Sequence, residues 1–180
     1  MALTATIYNI DIDLADADRQ VYESLALRVA RHPSESEEYL VARILAYGME
    51  FSEGISFSAG LSDPDGPAIA IRDLTGVLTS WIDIGTPEAA RLHRAAKAAP
   101  RVAVYTHKDP EQWMARLAGE RIHRAEEMEL YAIDRRLIGA VAARLERRMA
   151  FALAVSEREL YVSIGAETLV GAVTRRPIGR

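Results

Sequence analysis

The sequence predicts an α/β domain, more closely an α+β arrangement around a mixed sheet. Three observations carry this reading. Thr4 to Leu14 and Glu23 to Arg31 alternate apolar and polar side chains on either side of a turn at Asp16, Asp18 and Arg19, which gives an N-terminal antiparallel hairpin. A strand over Gly76 to Gly85, an Ala-rich helix over Pro87 to Ala99 and a short apolar strand over Val102 to Tyr105 follow one another. A strand–helix–strand crossover of that length makes a parallel pair. Phe151 to Val155 and Leu160 to Ile164 alternate across Glu157-Arg158-Glu159 as a C-terminal hairpin.

In chain order, the second strand competes with a helix, because Ala and Leu are good helix formers. Pro33 after Arg31 and His32 favours the extended form. Ser34 to Glu37 reads as a capping box, with Ser34 as N-cap and Glu37 at the third helical position. The helix is expected to run to about Tyr47 and stop at Gly48, with Leu40, Val41, Ile44 and Leu45 as its apolar stripe. Glu38 lies at the edge of that stripe, where an acid faces a cleft beside the sheet, and Arg43 lies on the other flank. Ile55 to Leu61 and Ala68 to Ile71 are short strands around the turn Ser62 to Pro67, which carries Asp63 and Asp65.

In the strand at Gly76 to Gly85, Val77, Thr79, Trp81 and Asp83 share one face, and Leu78, Ser80, Ile82 and Ile84 the other. Asp83 closes a largely apolar strand, where an acid needs a partner. Two roles stay open for it: cap of the helix that Thr86 and Pro87 start, or member of an acidic or metal-binding pocket. The next helix carries Arg91, His93, Arg94 and Lys97 on its polar side. Glu111 to Ala118 is a further helix with Trp113 and Leu117 facing inwards, Leu130 to Ile133 a strand and Arg135 to Leu145 a helix. With no repeat or linker, the chain reads as one domain over residues 1–180, ending in a basic, frayed tail over 174–180.

Composition narrows the function classes. The 180 residues, 49% of them hydrophobic, suit one well-filled core. No apolar run is long enough to span a membrane, and no signal peptide is recognisable at the N-terminus. The absence of cysteine excludes disulfides and thiol chemistry and points to the cytoplasm. A net charge of -4 means that nucleic acid would have to be met by a local basic patch. Short groups of the needed sign exist at Arg91/Arg94/Lys97, Arg121/His123/Arg124, Arg135/Arg136, Arg144/Arg147/Arg148 and Arg175/Arg176. Taken singly, they read as solvated helix faces. The four histidines do not stand at zinc-ligand spacing, and the phosphate-loop, dinucleotide and serine-hydrolase motifs are missing. What remains is a set of acids at element ends: Glu38, Asp63, Asp65 and Asp83. Converging carboxylates of this kind suit Mg²⁺ or Mn²⁺.

Several stretches resemble the bacterial YaeQ family nearly end to end. They are Met1 to Tyr8, Ala30-Arg31-His32-Pro33-Ser34-Glu35-Ser36-Glu37-Glu38, Arg43 with Leu45-Ala46, Gly60-Leu61-Ser62, and Trp81-Ile82-Asp83-Ile84-Gly85-Thr86-Pro87. The resemblance implies a variant of the PD-(D/E)xK nuclease-like fold, with added N- and C-terminal hairpins. In that fold a helix acid, an acid after a proline and an acid-x-lysine on a strand hold a metal. Glu38 resembles the helix acid and Asp83 the strand acid. Ala68 follows Pro67 where the motif has an acid, so Asp65 or Asp63 is the substitute. Gly85 stands where the motif has lysine, and Arg91 or Lys97 is the candidate replacement for its charge. Two functions follow as expectations. One is a Mg²⁺- or Mn²⁺-dependent phosphodiesterase acting on nucleic acid, with Glu38, Asp65 and Asp83 on the metal and Arg91 or Lys97 offsetting phosphate charge. The other is a non-catalytic protein of the same fold with a binding or regulatory role. Oligomeric state is left open, although the N-terminal hairpin offers a strand edge to a partner.

Overall fold

Strict alternation builds the first two strands, β1 (Thr6–Asp16) and β2 (Val21–Arg31), which pair antiparallel over their whole length. Tyr8, Ile10, Ile12 and Leu14 point into the core, while Asp11 and Asp13 between them stay in solvent. Helix α1 (Glu37–Glu50) follows, then β3 (Ile55–Phe57), β4 (Ile69–Arg72), β5 (Leu78–Ile84), α2 (Ala89–Ala98), β6 (Arg101–Thr106), α3 (Pro110–Leu117), β7 (Glu129–Ile133), α4 (Arg135–Ala142), β8 (Arg148–Ser156), β9 (Glu159–Ile164) and β10 (Glu167–Pro177). This computed structural model describes residues 4–58 and 65–178. Asp63 and the Gly60-Leu61-Ser62 stretch fall outside them.

The strands form one mixed sheet in the order β2-β1-β8-β9-β10-β7-β6-β5-β4-β3. The expected parallel pair is present as β5 and β6, and β6 with β7 and β1 with β8 are parallel too. Because α1 touches β1 near one edge and β3 and β5 near the other, the sheet curls around that helix. This explains why α1 is buried beyond its predicted stripe: Ala42, Arg43 and Ala46 are covered as well as Leu40, Val41, Ile44 and Leu45. A helix surrounded by sheet must be apolar nearly all round. The opposite face of β5 and β6 carries a second core, where Trp81, Val102 and Val104 meet Leu92 of α2 and Trp113 and Leu117 of α3.

Several boundaries differ from the sequence expectation. The N-cap of α1 is Ser36, whose hydroxyl accepts from the Tyr39 amide, because Ser34 is already bonded to His32 Nδ1 at 2.7 Å. Glu37 therefore opens the helix instead of closing a capping box. The helix also passes Gly48 and ends at Glu50. A side chain at Gly48 would begin 2.8 Å from Leu153 of β8, and Arg19 binds the Gly48 and Phe51 carbonyls at the helix end. α4 ends at Ala142, short of Leu145.

The largest departure is β10. Thr174 to Pro177, expected as a frayed tail, are strand residues paired with β7, and Glu167 to Ala172 pair with β9. β10 thus joins the two halves of the sheet. α4 lies so close above it that a Cβ on Gly171 would begin 2.7 Å from Leu137 Cβ and 3.0 Å from Asp134 Cβ. Gly171→Ala is expected to destabilise the protein by about 1–3 kcal/mol through overpacking, read as a lower urea midpoint with an unchanged slope.

Candidate functional site

Asp83, the penultimate residue of β5, is 2% exposed and lies on the same face as Trp81. Its carboxylate is held from two sides. Arg91, in the first turn of α2, donates from Nε to Oδ2 at 2.7 Å and from Nη2 to Oδ1 at 2.9 Å, and the Ala68 amide donates to Oδ1 at 3.3 Å. The same guanidinium reaches the Gly66 carbonyl at 2.7 Å and lies over the Trp81 ring at 5.6 Å. Asp83 and Arg91 together therefore fasten the turn before β4 to β5 and α2. The bidentate fork is the stronger geometry for such a pair.

Immediately after β5, Gly85 has φ +90°, and the Tyr39 ring lies 3.6 Å from where its Cβ would be. That backbone conformation suits glycine and strains a lysine. Burial pushes the Tyr39 phenol up from its ordinary value. Glu38 is exposed in the first turn of α1, and Asp65 is exposed in the turn that Arg91 anchors. Among the described residues, no three His, Asp or Glu side chains group in a metal-binding arrangement.

At the carboxyl ends of β6 and β7 a cleft of about 420 Å³ opens between the starts of α3 and α4. His107, Lys108, Asp134 and Arg135 line it. His107 is 7% exposed, and its Nδ1 is buried without a hydrogen-bond partner. Burial, followed by Lys108, holds the imidazole below its ordinary value, while Glu38 pulls the other way. Asp109 and Asp134 are committed as N-caps of α3 and α4. No motif surrounds His107, and nothing in the local sequence marks it for a role.

A second polar centre also went unseen in the sequence. Arg101 binds Glu50 with Nη1 at 2.8 Å and Nη2 at 2.9 Å, and binds Glu129 with Nε at 2.7 Å and Nη2 at 3.2 Å. Tyr105 donates to Glu50 and Tyr131 to Glu129, each at 2.5 Å, and the two rings stack at 4.7 Å. Burial pushes the Glu129 carboxyl up, but the bonds from Arg101 and Tyr131 outweigh it, and the group sits below its ordinary value. Burial and the same carboxylate raise Tyr131 to about 12. The only signal available was chemical type, because the partners lie 51 and 28 residues from Arg101.

Some members of the basic groups are engaged within the chain. Arg124 caps the carbonyl end of α2 through Ala96 and Ala99, Arg144 pairs with Glu167, and Arg176 pairs with Glu111. No helix among the described residues is long and apolar enough to cross a membrane.

Comparison with known proteins gives these features a family. The chain is 28% identical to the YaeQ protein of Escherichia coli over 165 residues, covering 91% of each, and 37% identical to that of Salmonella typhi over 107 residues, covering 59% of each. The crystal structure of YaeQ from Xanthomonas axonopodis pv. citri superposes with a TM-score of 0.87 at 28% identity, covering 96% of this chain and 98% of that one. That of Pseudomonas syringae YaeQ gives 0.85 at 27%, covering 95% of each. The YaeQ protein family model matches residues 1–172, and the chain belongs to the YaeQ family.

Proposed function

We propose that this protein is a non-catalytic binding or regulatory member of its family, in which Asp83 holds structure instead of a metal. The observation that supports the reading is the saturation of Asp83 by Arg91 and the Ala68 amide. To ligate Mg²⁺ or Mn²⁺, that carboxylate would have to surrender charge-assisted bonds made at low exposure. Gly85 adds to it, since its left-handed backbone disfavours the lysine that a PD-(D/E)xK nuclease places there. The binding surface we assign is the cleft around His107, at the carboxyl ends of parallel strands, where open α/β sheets generally take their ligands.

A Mg²⁺- or Mn²⁺-dependent phosphodiesterase acting on nucleic acid is the second reading. Its support is the acid Glu38 close enough to the buried His107 to influence its charge. That reading requires Glu38, Asp65 and Asp83 to converge, with Arg91 turning from Asp83 to a phosphate.

Calorimetry with Mg²⁺ and Mn²⁺ on the wild type and on Asp83→Ala, paired with hydrolysis assays on DNA and RNA, separates the two. The expected result is no metal binding that depends on Asp83 and no metal-dependent cleavage. Metal binding lost in a folded Asp83→Ala variant, together with cleavage by the wild type, would overturn the binding reading and establish the phosphodiesterase.

A further inference from the structure

The two edges of the sheet are unlike. β3 is three residues long, whereas β2 runs for eleven, in unbroken register with β1 and without proline or bulge. No strand among the described residues lies on its outer side. Eleven residues span about 37 Å. An edge of that length leaves backbone N–H and C=O groups open to another chain, apart from the Ala30 carbonyl, which accepts from Arg43 Nη2 at 2.6 Å, and sheets normally blunt such an edge. The core margin is also open there. Leu25 and Leu27 are buried but keep 7% and 8% exposure, against 0% and 1% for Ile10 and Ile12 on β1, while Tyr22, on the opposite face of the strand, is 63% exposed.

We propose that β2 is a self-association edge, along which two copies of this chain pair antiparallel about a two-fold axis through Leu27. The register follows from side-chain direction and charge. A two-fold axis perpendicular to the sheet keeps each face continuous, so residues opposite one another must share a face. Leu25, Leu27 and Val29 then meet the same set in the second copy, which extends the core. Among registers of this kind, pairing about Leu27 sets Glu23 opposite Arg31 of the partner subunit, and the reciprocal pair forms by symmetry. Leu25 falls opposite Val29, Ala26 opposite Arg28, and Tyr22 opposite His32. No like charges face each other, and opposite-charge and aromatic cross-strand pairs are the stabilising kinds. Arg31 is already steadied from its own chain, since its Nε donates to the Glu35 carbonyl at 3.0 Å.

Sedimentation equilibrium on the full chain tests this. The wild type is expected to be a dimer in the micromolar range. Glu23→Arg turns two attractive pairs into two repulsive ones and is expected to weaken the dimer about tenfold. Adding Arg31→Glu to that variant exchanges the charges and should restore association. Should Arg31→Glu disturb the loop at Glu35, Ala26→Lys offers an independent check. It lies on the exposed face opposite Arg28 of the partner subunit, and should weaken the dimer while leaving the thermal transition of the monomer in place. A monomer at every concentration would overturn the proposal. So would a dimer indifferent to both Glu23→Arg and Ala26→Lys.

Discussion

Arg101→Met is expected to cost about 3 kcal/mol of stability at pH 7, near the lower end for a broken buried ion pair, because the guanidinium keeps 32% exposure. The variant leaves Glu50 and Glu129 facing each other without the cation that both grip, and only the Tyr105 and Tyr131 hydroxyls still serve them. The pH dependence gives a sharper signature. In the wild type the Glu129 carboxyl is depressed, so its contribution is present above the ordinary carboxylate range and is lost as pH falls through the depressed folded value. Without Arg101, only the Tyr131 hydroxyl and Arg175 still oppose the burial that raises the group, so its depression shrinks. The variant then gains less stability than the wild type as pH rises through that range. The gap between the two proteins should therefore be widest near neutrality and narrow towards about pH 4. Urea unfolding at a series of pH values measures it, and a gap that stays constant with pH would refute the charge argument.

Arg91→Ala is expected to destabilise by about 3 kcal/mol, and by more than Asp83→Asn does. The asymmetry follows from burial. Asp83 is 2% exposed, so removing Arg91 strands a carboxylate that, among the described residues, keeps only the Ala68 amide. Arg91 is 25% exposed and can turn to water when the acid is neutralised. Loss of Arg91 also frees the Gly66 carbonyl, so the turn before β4 should exchange its amide hydrogens faster than the rest of the sheet. Denaturant titrations of the two variants, with hydrogen exchange on Arg91→Ala, check both statements. Equal or reversed stability losses would remove the anchor role given to Asp83.

Much of the local structure was legible because it rests on short-range periodicity. β1 and β2, the β5–α2–β6 crossover and the inward Trp113 and Leu117 of α3 all appear where alternation or i, i+4 spacing places them. The site was legible in part: Asp83 and Arg91 were both singled out, but not as each other's partners. Glu38 proved to be a surface acid near His107, and Asp65 a turn residue.

What the sequence alone determined is therefore a mixed α/β fold, most of its elements, and its family. Each of these depends on patterns within a dozen residues or on motif similarity. The tertiary structure decided the rest. β10 carries a glycine in mid-strand, a weak strand signal, and only the approach of α4 makes that glycine necessary. Curling of the sheet around α1 buries faces that one amphipathic stripe does not predict. The partners of Arg101 are distant in sequence, and the bond from Arg91 to Asp83 requires α2 to fold back across the end of β5. Periodicity records which face of an element is apolar, but carries no information about which charge on another element will be brought to it.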